Sequence, residues 1–84
     1  KRAKVFIIIS SEHEKIKSDT LKKLARGITV IYGEGGYTGS ERKVLLCTVS
    51  MGAQTQALKD IIKEADPEAF IISVDAAEII GRGF

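Results

Sequence analysis

A glycine-rich stretch that carries a hydroxyl can wrap an anion, because exposed backbone amides converge on its oxygens while the hydroxyl donates one more hydrogen bond. Gly33 to Gly39, GEGGYTG, has that make-up, with four glycines, one tyrosine and one threonine in seven residues. Its candidate contacts are Gly35, Gly36, Tyr37, Thr38 and Gly39, with Arg42 or Arg82 to supply charge. The stretch matches neither the G-x-x-x-x-G-K-[ST] phosphate loop nor a G-x-G-x-x-G turn between a strand and a helix. Between two strands its glycines serve equally well to supply positive φ. A plain hairpin needs only about two to five loop residues, so a wide or bulged hairpin and a ligand loop both remain open readings.

Two other side chains carry reactive groups. His13 lies between Glu12 and Glu14 in the first turn of a helix, with no nucleophile implied beside it, and reads as an exposed helix-start histidine. Cys47 stands among Leu46 and Val49 in a strand, where a small buried hydrophobe is the ordinary role. No general base, nucleophile and anion stabiliser fall together, so the chain does not read as an enzyme.

Eighty-four residues make one domain, 1–84. At this size a chain buries roughly 60% of the surface it would expose unfolded, so help from a partner surface matters. One cysteine excludes an internal disulfide, and no Cys/His pairs stand at zinc spacing, so neither a metal nor another cofactor is expected. Thirteen Lys plus Arg against 11 Asp plus Glu leave +2, too little to argue for nucleic acid as partner. The longest apolar run, Val5 to Ile9, falls far short of the ~20 residues that cross a bilayer. The opening KRAK leads straight into that run, which suggests a piece of a longer protein.

Lys4 to Ser10, KVFIIIS, is short, β-branched and apolar on both sides, the pattern of a central strand. Ser11 with Glu14 has capping-box spacing, and Ile16, Thr20, Leu21, Leu24 and Ala25 share one side of a helix ending near Gly27. ITVIY and RKVLLCTVS are the next two strands, forming a hairpin around the glycine-rich loop. A second helix runs from about Ala53 to Ala65 and stops at Asp66-Pro67, since the residue before proline disfavours the α region. AFIISV is the last strand, and Asp75 with Glu78 is placed to cap one final helical turn before Gly81.

The order βαββαβ specifies an α+β, ferredoxin-like fold: a four-stranded antiparallel sheet with two helices on one face. Strands one and three then lie in the middle, apolar on both sides, so the face away from the helices needs a cover. A homo-oligomer through that sheet face is the expected solution. Ferredoxin-like domains serve many functions, and several fail on residues. RKVLLCTVS has no aromatic residue to stack RNA bases, SSEHE has no paired cysteines for a metallochaperone, and the same loop is too acidic for an acylphosphatase anion site.

Three stretches, RGITVIYGEGGYTG, KVLLCTVS and DPEAFIISVDAAEIIGRGF, closely resemble the soluble C-terminal domain of the YitT-type bacterial membrane proteins, over Lys4 to Phe84. The most specific pieces are GGYTG, DPEAF and GRGF. The resemblance implies a parent chain held in the cell membrane with this domain in the cytoplasm and KRAK next to the membrane, in keeping with the positive-inside rule. The segment after strand three often carries Arg and Glu in such domains and reads MGAQT here. The layout is also similar, at a distance, to PII-type signalling proteins, which bind nucleotides in subunit clefts near the loop between strands two and three. That likeness implies a small nucleotide-like ligand at GGYTG and a regulatory, ligand-sensing role, with a purely structural oligomerisation domain as the other reading. In the tail, Phe84 after two glycines is expected to pack back on the body.

Overall fold

Ala3–Ile9 form strand β1, the first strand in the chain and a central one in the sheet. Helix α1 (His13–Leu24), strand β2 (Thr29–Glu34), strand β3 (Glu41–Ser50), helix α2 (Ala53–Ala65) and strand β4 (Phe70–Ala76) follow. The structure, a computed structural model, describes residues 2–83. The sheet order is β2-β3-β1-β4 with every pairing antiparallel, the expected βαββαβ arrangement.

The pleat divides the sheet's side chains into two sets. Phe6, Ile8, Leu45, Cys47 and Val49 are buried under the helices, where they meet Ile16 of α1 and Leu58 and Ile62 of α2. Burying a side chain of this size is worth roughly 1.5–3 kcal/mol each, so this layer carries the fold. The alternate positions face the other way. Ile31, Val44, Ile9 and Phe70 stand in one cross-strand row, Leu46, Ile7 and Ile72 in the next, and Thr48, Val5 and Val74 in a third. No described element covers these rows squarely: Ile31 is 45%, Ile72 40%, Val74 47% and Phe70 59% exposed.

Polar ties fix the corners. Ser10 Oγ donates to Asp66 Oδ2 at 2.6 Å, and Asp66 Oδ1 accepts the Glu68 amide at 2.9 Å, which gives the DPEAF segment a structural task. Helix α2 ends where the proline requires, with Asp66 extended at φ −154°.

Four expectations are corrected. The first turn of α1 is tied down by Ser10, whose Oγ accepts the Glu12 amide at 2.9 Å, and no side chain caps the helix, so Ser11 and Glu14 form no capping box. Glu14 pairs with Lys17 instead, at 3.1 Å. Helix α1 ends at Leu24, short of the expected end near Gly27, with Ala25 as its left-handed C-cap at φ 52°. Leu21 and Ala25 are exposed, so the buried stripe of α1 is Ile16 and Thr20 with Leu24 at its edge. Asp75 lies in β4 and pairs with Lys4, and residues 77–83 form no helical turn. Phe84, whose packing was anticipated, lies outside the described residues, as does Lys1.

Candidate functional site

The last β2–β3 pair is Glu34 opposite Glu41, leaving residues 35–40 as a loop. The loop closes on itself. The Gly35 amide donates to the Ser40 carbonyl at 2.8 Å and the Gly39 amide to the Gly35 carbonyl at 2.7 Å. The Ser40 amide donates to Thr38 Oγ1 at 3.2 Å, and that hydroxyl shares a further hydrogen bond with Ser40 Oγ at 2.8 Å. Gly39 has φ +73°, the left-handed region that favours glycine. At Gly35 the constraint is space: a Cβ there would stand 2.9 Å from Thr38 Oγ1. These bonds give the loop the shape of a wide turn and commit the amides of Gly35 and Gly39 to its closure. Tyr37, at the tip, is fully exposed.

Arg42 stands opposite Gly33 at the base of the loop, and Arg82 lies at the other end of the hairpin, near Thr29 and Thr48. The structure therefore brings Arg42, but not Arg82, to the glycine-rich segment.

Beside Arg42 lies a cleft of about 460 Å³ between the β1–α1 corner and the start of β3, lined by Ile9, Ser10, Ser11, His13, Glu41, Arg42 and Lys43. His13 is more enclosed than a helix-start position suggests: its side chain is 25% exposed, with Nδ1 3.7 Å from the Glu14 carboxylate. Lys43 lies over the Tyr32 ring, 5.6 Å from its centroid, a cation–π distance. Three side chains able to carry positive charge thus meet one carboxylate, Glu41, and two hydroxyls. The sequence signals for this cleft were Arg42, named for its charge, and a histidine after a central strand.

A second cleft, about 290 Å³, lies where the tail returns to the sheet, lined by Arg26, Gly27, Thr29, Leu46, Thr48, Ile79, Arg82 and Gly83. Arg26 Nε donates to Gln54 Oε1 at 3.1 Å and Nη2 to Ser50 Oγ at 3.3 Å, while Gln54 Oε1 also accepts the Ser50 amide at 2.9 Å. Gln54 belongs to the MGAQT segment, so that uncharged stretch still supplies a polar contact. Nothing in the spelling of the sequence pointed to Arg26.

Burial pushes the Cys47 thiol up to about 11, against a small opposing effect of Arg26. It is a buried, free thiol with a structural place in the core. Among the described residues no three His, Cys, Asp or Glu side chains gather where they could hold a metal ion.

Residues 26–81 match the family described as "Uncharacterized protein conserved in bacteria (DUF2179)". This chain belongs to the DUF2179 family. Among its relatives, the UPF0750 membrane protein YvjA of Bacillus subtilis is 41% identical over 83 residues, which is 99% of this chain and 29% of YvjA. The UPF0750 membrane protein YitT of the same organism is 28% identical over 75 residues, 89% of this chain and 26% of YitT. The DUF2179 chain thus spans less than a third of either relative. A crystal structure of a DUF2179 protein from Eubacterium ventriosum shares the fold with a TM-score of 0.73 at 28% identity, covering 88% of this chain and 99% of that one. Arabidopsis thaliana PII, solved bound to citrate, is alike in fold alone, with a TM-score of 0.75 at 21% identity over 96% of this chain and 80% of PII. The expected YitT-type membership and PII-like, ferredoxin-like architecture both stand. No described helix of the DUF2179 chain is long and apolar enough to cross a membrane.

Proposed function

We propose that this domain assembles copies of its membrane protein through the open sheet face and makes that assembly responsive to a small anionic, nucleotide-like ligand. One observation carries the assembly: the rows through Ile31 and Phe70, Leu46 and Ile72, and Thr48 and Val74 form a nearly unbroken apolar field across all four strands, and Thr29 and Thr48 are its only polar members. A single sheet face this apolar lowers its free energy by leaving water, and a second copy of the same face is complementary to it. A standard interface removes ~800 Å² per partner from water. The reading places the domain in the cytoplasm, with Arg2 and Lys4 at the membrane-proximal entry to β1.

The ligand part of the proposal is supported by the cleft beside Arg42, which stands at the base of the glycine-rich loop. Arg42, Lys43 and His13 would meet the anion, and Gly35, Gly36, Tyr37, Thr38 and Gly39, which do not line the cleft, would have to fold over it to take part, with Tyr37 then available to stack on a base at ~1–3 kcal/mol. The citrate held by Arabidopsis PII is in keeping with a small anion as the ligand class. The self-closed loop favours the second reading, assembly with no ligand at this end.

Sedimentation tests the assembly, with wild type expected as a multiple of the single chain and Ile72→Lys as a monomer of unchanged fold. A monomeric wild type at high concentration sinks it. A thermal-shift screen of nucleotides on wild type, Tyr37→Ala and Arg42→Gln tests the ligand. If no nucleotide raises the melting temperature, assembly alone is the function to keep.

A further inference from the structure

We infer that the end of the domain where β1 begins is a docking surface for an anionic lipid layer, with Ile80 as its apolar contact and Arg2 and Arg82 as its charges. The inference rests on the reading above that puts Arg2 at the membrane-proximal entry to β1, and the surface shares none of these residues with the loop-end cleft.

Topology gathers the pieces. Strand β1 runs away from this end and β3 and β4 run back to it, so Ala3, Ser50 and Ala76 stand side by side in one row. The Arg2 carbonyl accepts the Met51 amide at 3.4 Å, which sets Arg2 beside the start of α2. The tail after β4 stays at the same end, since Ile79, Arg82 and Gly83 border a cleft with Thr29 and Thr48.

The make-up of that end decides the partner. Ile80 is 84% exposed, more than any other large aliphatic side chain among the described residues. Arg2 and Arg82 are exposed as well, and neither stands in an ion pair among the described residues. Of the carboxylates in the described strands and tail at this end, Asp75 is held by Lys4 at 2.6 Å and also feels the charge of Arg2, which leaves Glu78. The exposed Glu12, Glu34, Glu41 and Glu68 lie at the opposite end, so a chain of net charge +2 is polarised along its strands. An apolar side chain standing among cations suits an anionic bilayer surface: it enters the headgroup layer while the cations stay with the phosphates. Helix α2 adds its positive end, beginning at Ala53 with no acidic residue in its first turn and no side-chain cap. One isoleucine and a short tail fall well short of the ~800 Å² per side of a standard protein interface, whereas a lipid layer needs no shaped counterpart. Docked by this end, the strands stand roughly along the membrane normal and the open sheet face turns sideways, toward neighbouring copies.

The test is cosedimentation of the 84-residue chain with vesicles of phosphatidylcholine alone and of phosphatidylcholine mixed equally with phosphatidylglycerol. The Eubacterium ventriosum relative was solved as a chain of which 99% is this fold, so the domain is a fair object on its own. Wild type is expected to bind the mixed vesicles and not the neutral ones, and to be released by sodium chloride. Arg2→Gln and Arg82→Gln should each bind about fivefold more weakly, the share of one basic residue at an anionic surface. Ile80→Ser should also bind more weakly although its charge is unchanged, and all three variants should keep the wild-type melting temperature. The surface is overturned if wild type binds neither vesicle, if it binds both alike, or if the three variants bind as wild type does. Weaker binding of Arg42→Gln with none of Arg82→Gln moves the contact to the loop end and overturns it equally. Release by inorganic phosphate at an ionic strength where chloride has no effect marks a phosphate pocket in place of a lipid surface. Sedimentation without vesicles reads the assembly separately, so either reading can fail alone.

Discussion

Ser10 Oγ and Asp66 Oδ2 stand 2.6 Å apart across 56 positions of sequence, joining the end of the central strand β1 to the stop of α2. The Asp66 carboxylate also receives the Glu68 amide, so both of its oxygens are engaged. Asp66→Ala leaves a part-buried hydroxyl and an amide without their acceptor. Losses of hydrogen bonds to a charged group run to about 1.5–3 kcal/mol, which lowers the melting temperature of so small a domain by roughly 6–24 °C. Thermal unfolding followed by circular dichroism reads this directly, and a shift below about 1 °C would show that the tie is idle.

Lys4 Nζ lies 2.6 Å from Asp75 Oδ1, across directly opposed positions of β1 and β4. The hydrogen bond and charge of Lys4 hold the Asp75 carboxyl below its ordinary value of 3.8, as Lys17 holds Glu14 below 4.5. A depressed carboxylate contributes stability that is present above its unfolded value and lost as pH falls through the folded one. Asp75→Asn should therefore cost a little stability at neutral pH, little because the pair is exposed, and its melting-temperature difference from wild type should close as pH falls below about 4. A difference from wild type that persists unchanged at low pH contradicts the pairing.

Cys47 titrates in the opposite sense. Its thiol is pushed from an ordinary 9.0 to about 11, so the unfolded chain releases this proton first and native stability falls as pH rises between those values. Native protein at pH 8 should resist iodoacetamide, and denatured protein should be alkylated quickly. Equal rates measured by mass spectrometry would place the thiol outside the core.

Two glycines of one loop should respond differently to the same change. Gly39→Ala forces a side chain into φ +73°, at roughly 1–2 kcal/mol, and is expected to lower the melting temperature by roughly 4–15 °C. Gly36 meets nothing within 4 Å and has no positive φ, so Gly36→Ala should stay within ~0.5 kcal/mol of wild type. Comparable losses at both positions would contradict the loop geometry.

Strand and helix order was legible because each element carried its own period: KVFIIIS apolar without a break from Val5 to Ile9, AQTQALKDIIKEA with its 3.6-residue stripe and a proline stop. Those local signals also fixed the two-faced sheet, since Phe6 and Ile8 alternate with Val5, Ile7 and Ile9. What could not be read were contacts between distant residues. Ser11 looked like a cap because its spacing to Glu14 is right, but Ser10 was nearer the Glu12 amide and already tied to Asp66. Arg82 was grouped with the glycine-rich loop by charge alone, and the antiparallel hairpin puts its neighbours at the other end of the sheet. Arg26 reaches Gln54 and Ser50, which no periodicity connects to it.

The strand made first is the one whose partners are made last. Ala3 lies opposite Ala76, and every residue of β1 up to Ile9 finds its β4 partner at position 70 or later. On a ribosome, β1 therefore emerges as an apolar segment that can form neither of its ladders until β3 is out, and the second only once most of the domain is synthesised. Such long-range closure makes folding slow relative to helical domains and leaves a sticky strand exposed in the meantime. The order of synthesis thus sets a window in which nascent chains held close together can exchange β1, and a domain whose copies are gathered side by side has reason to close that window quickly.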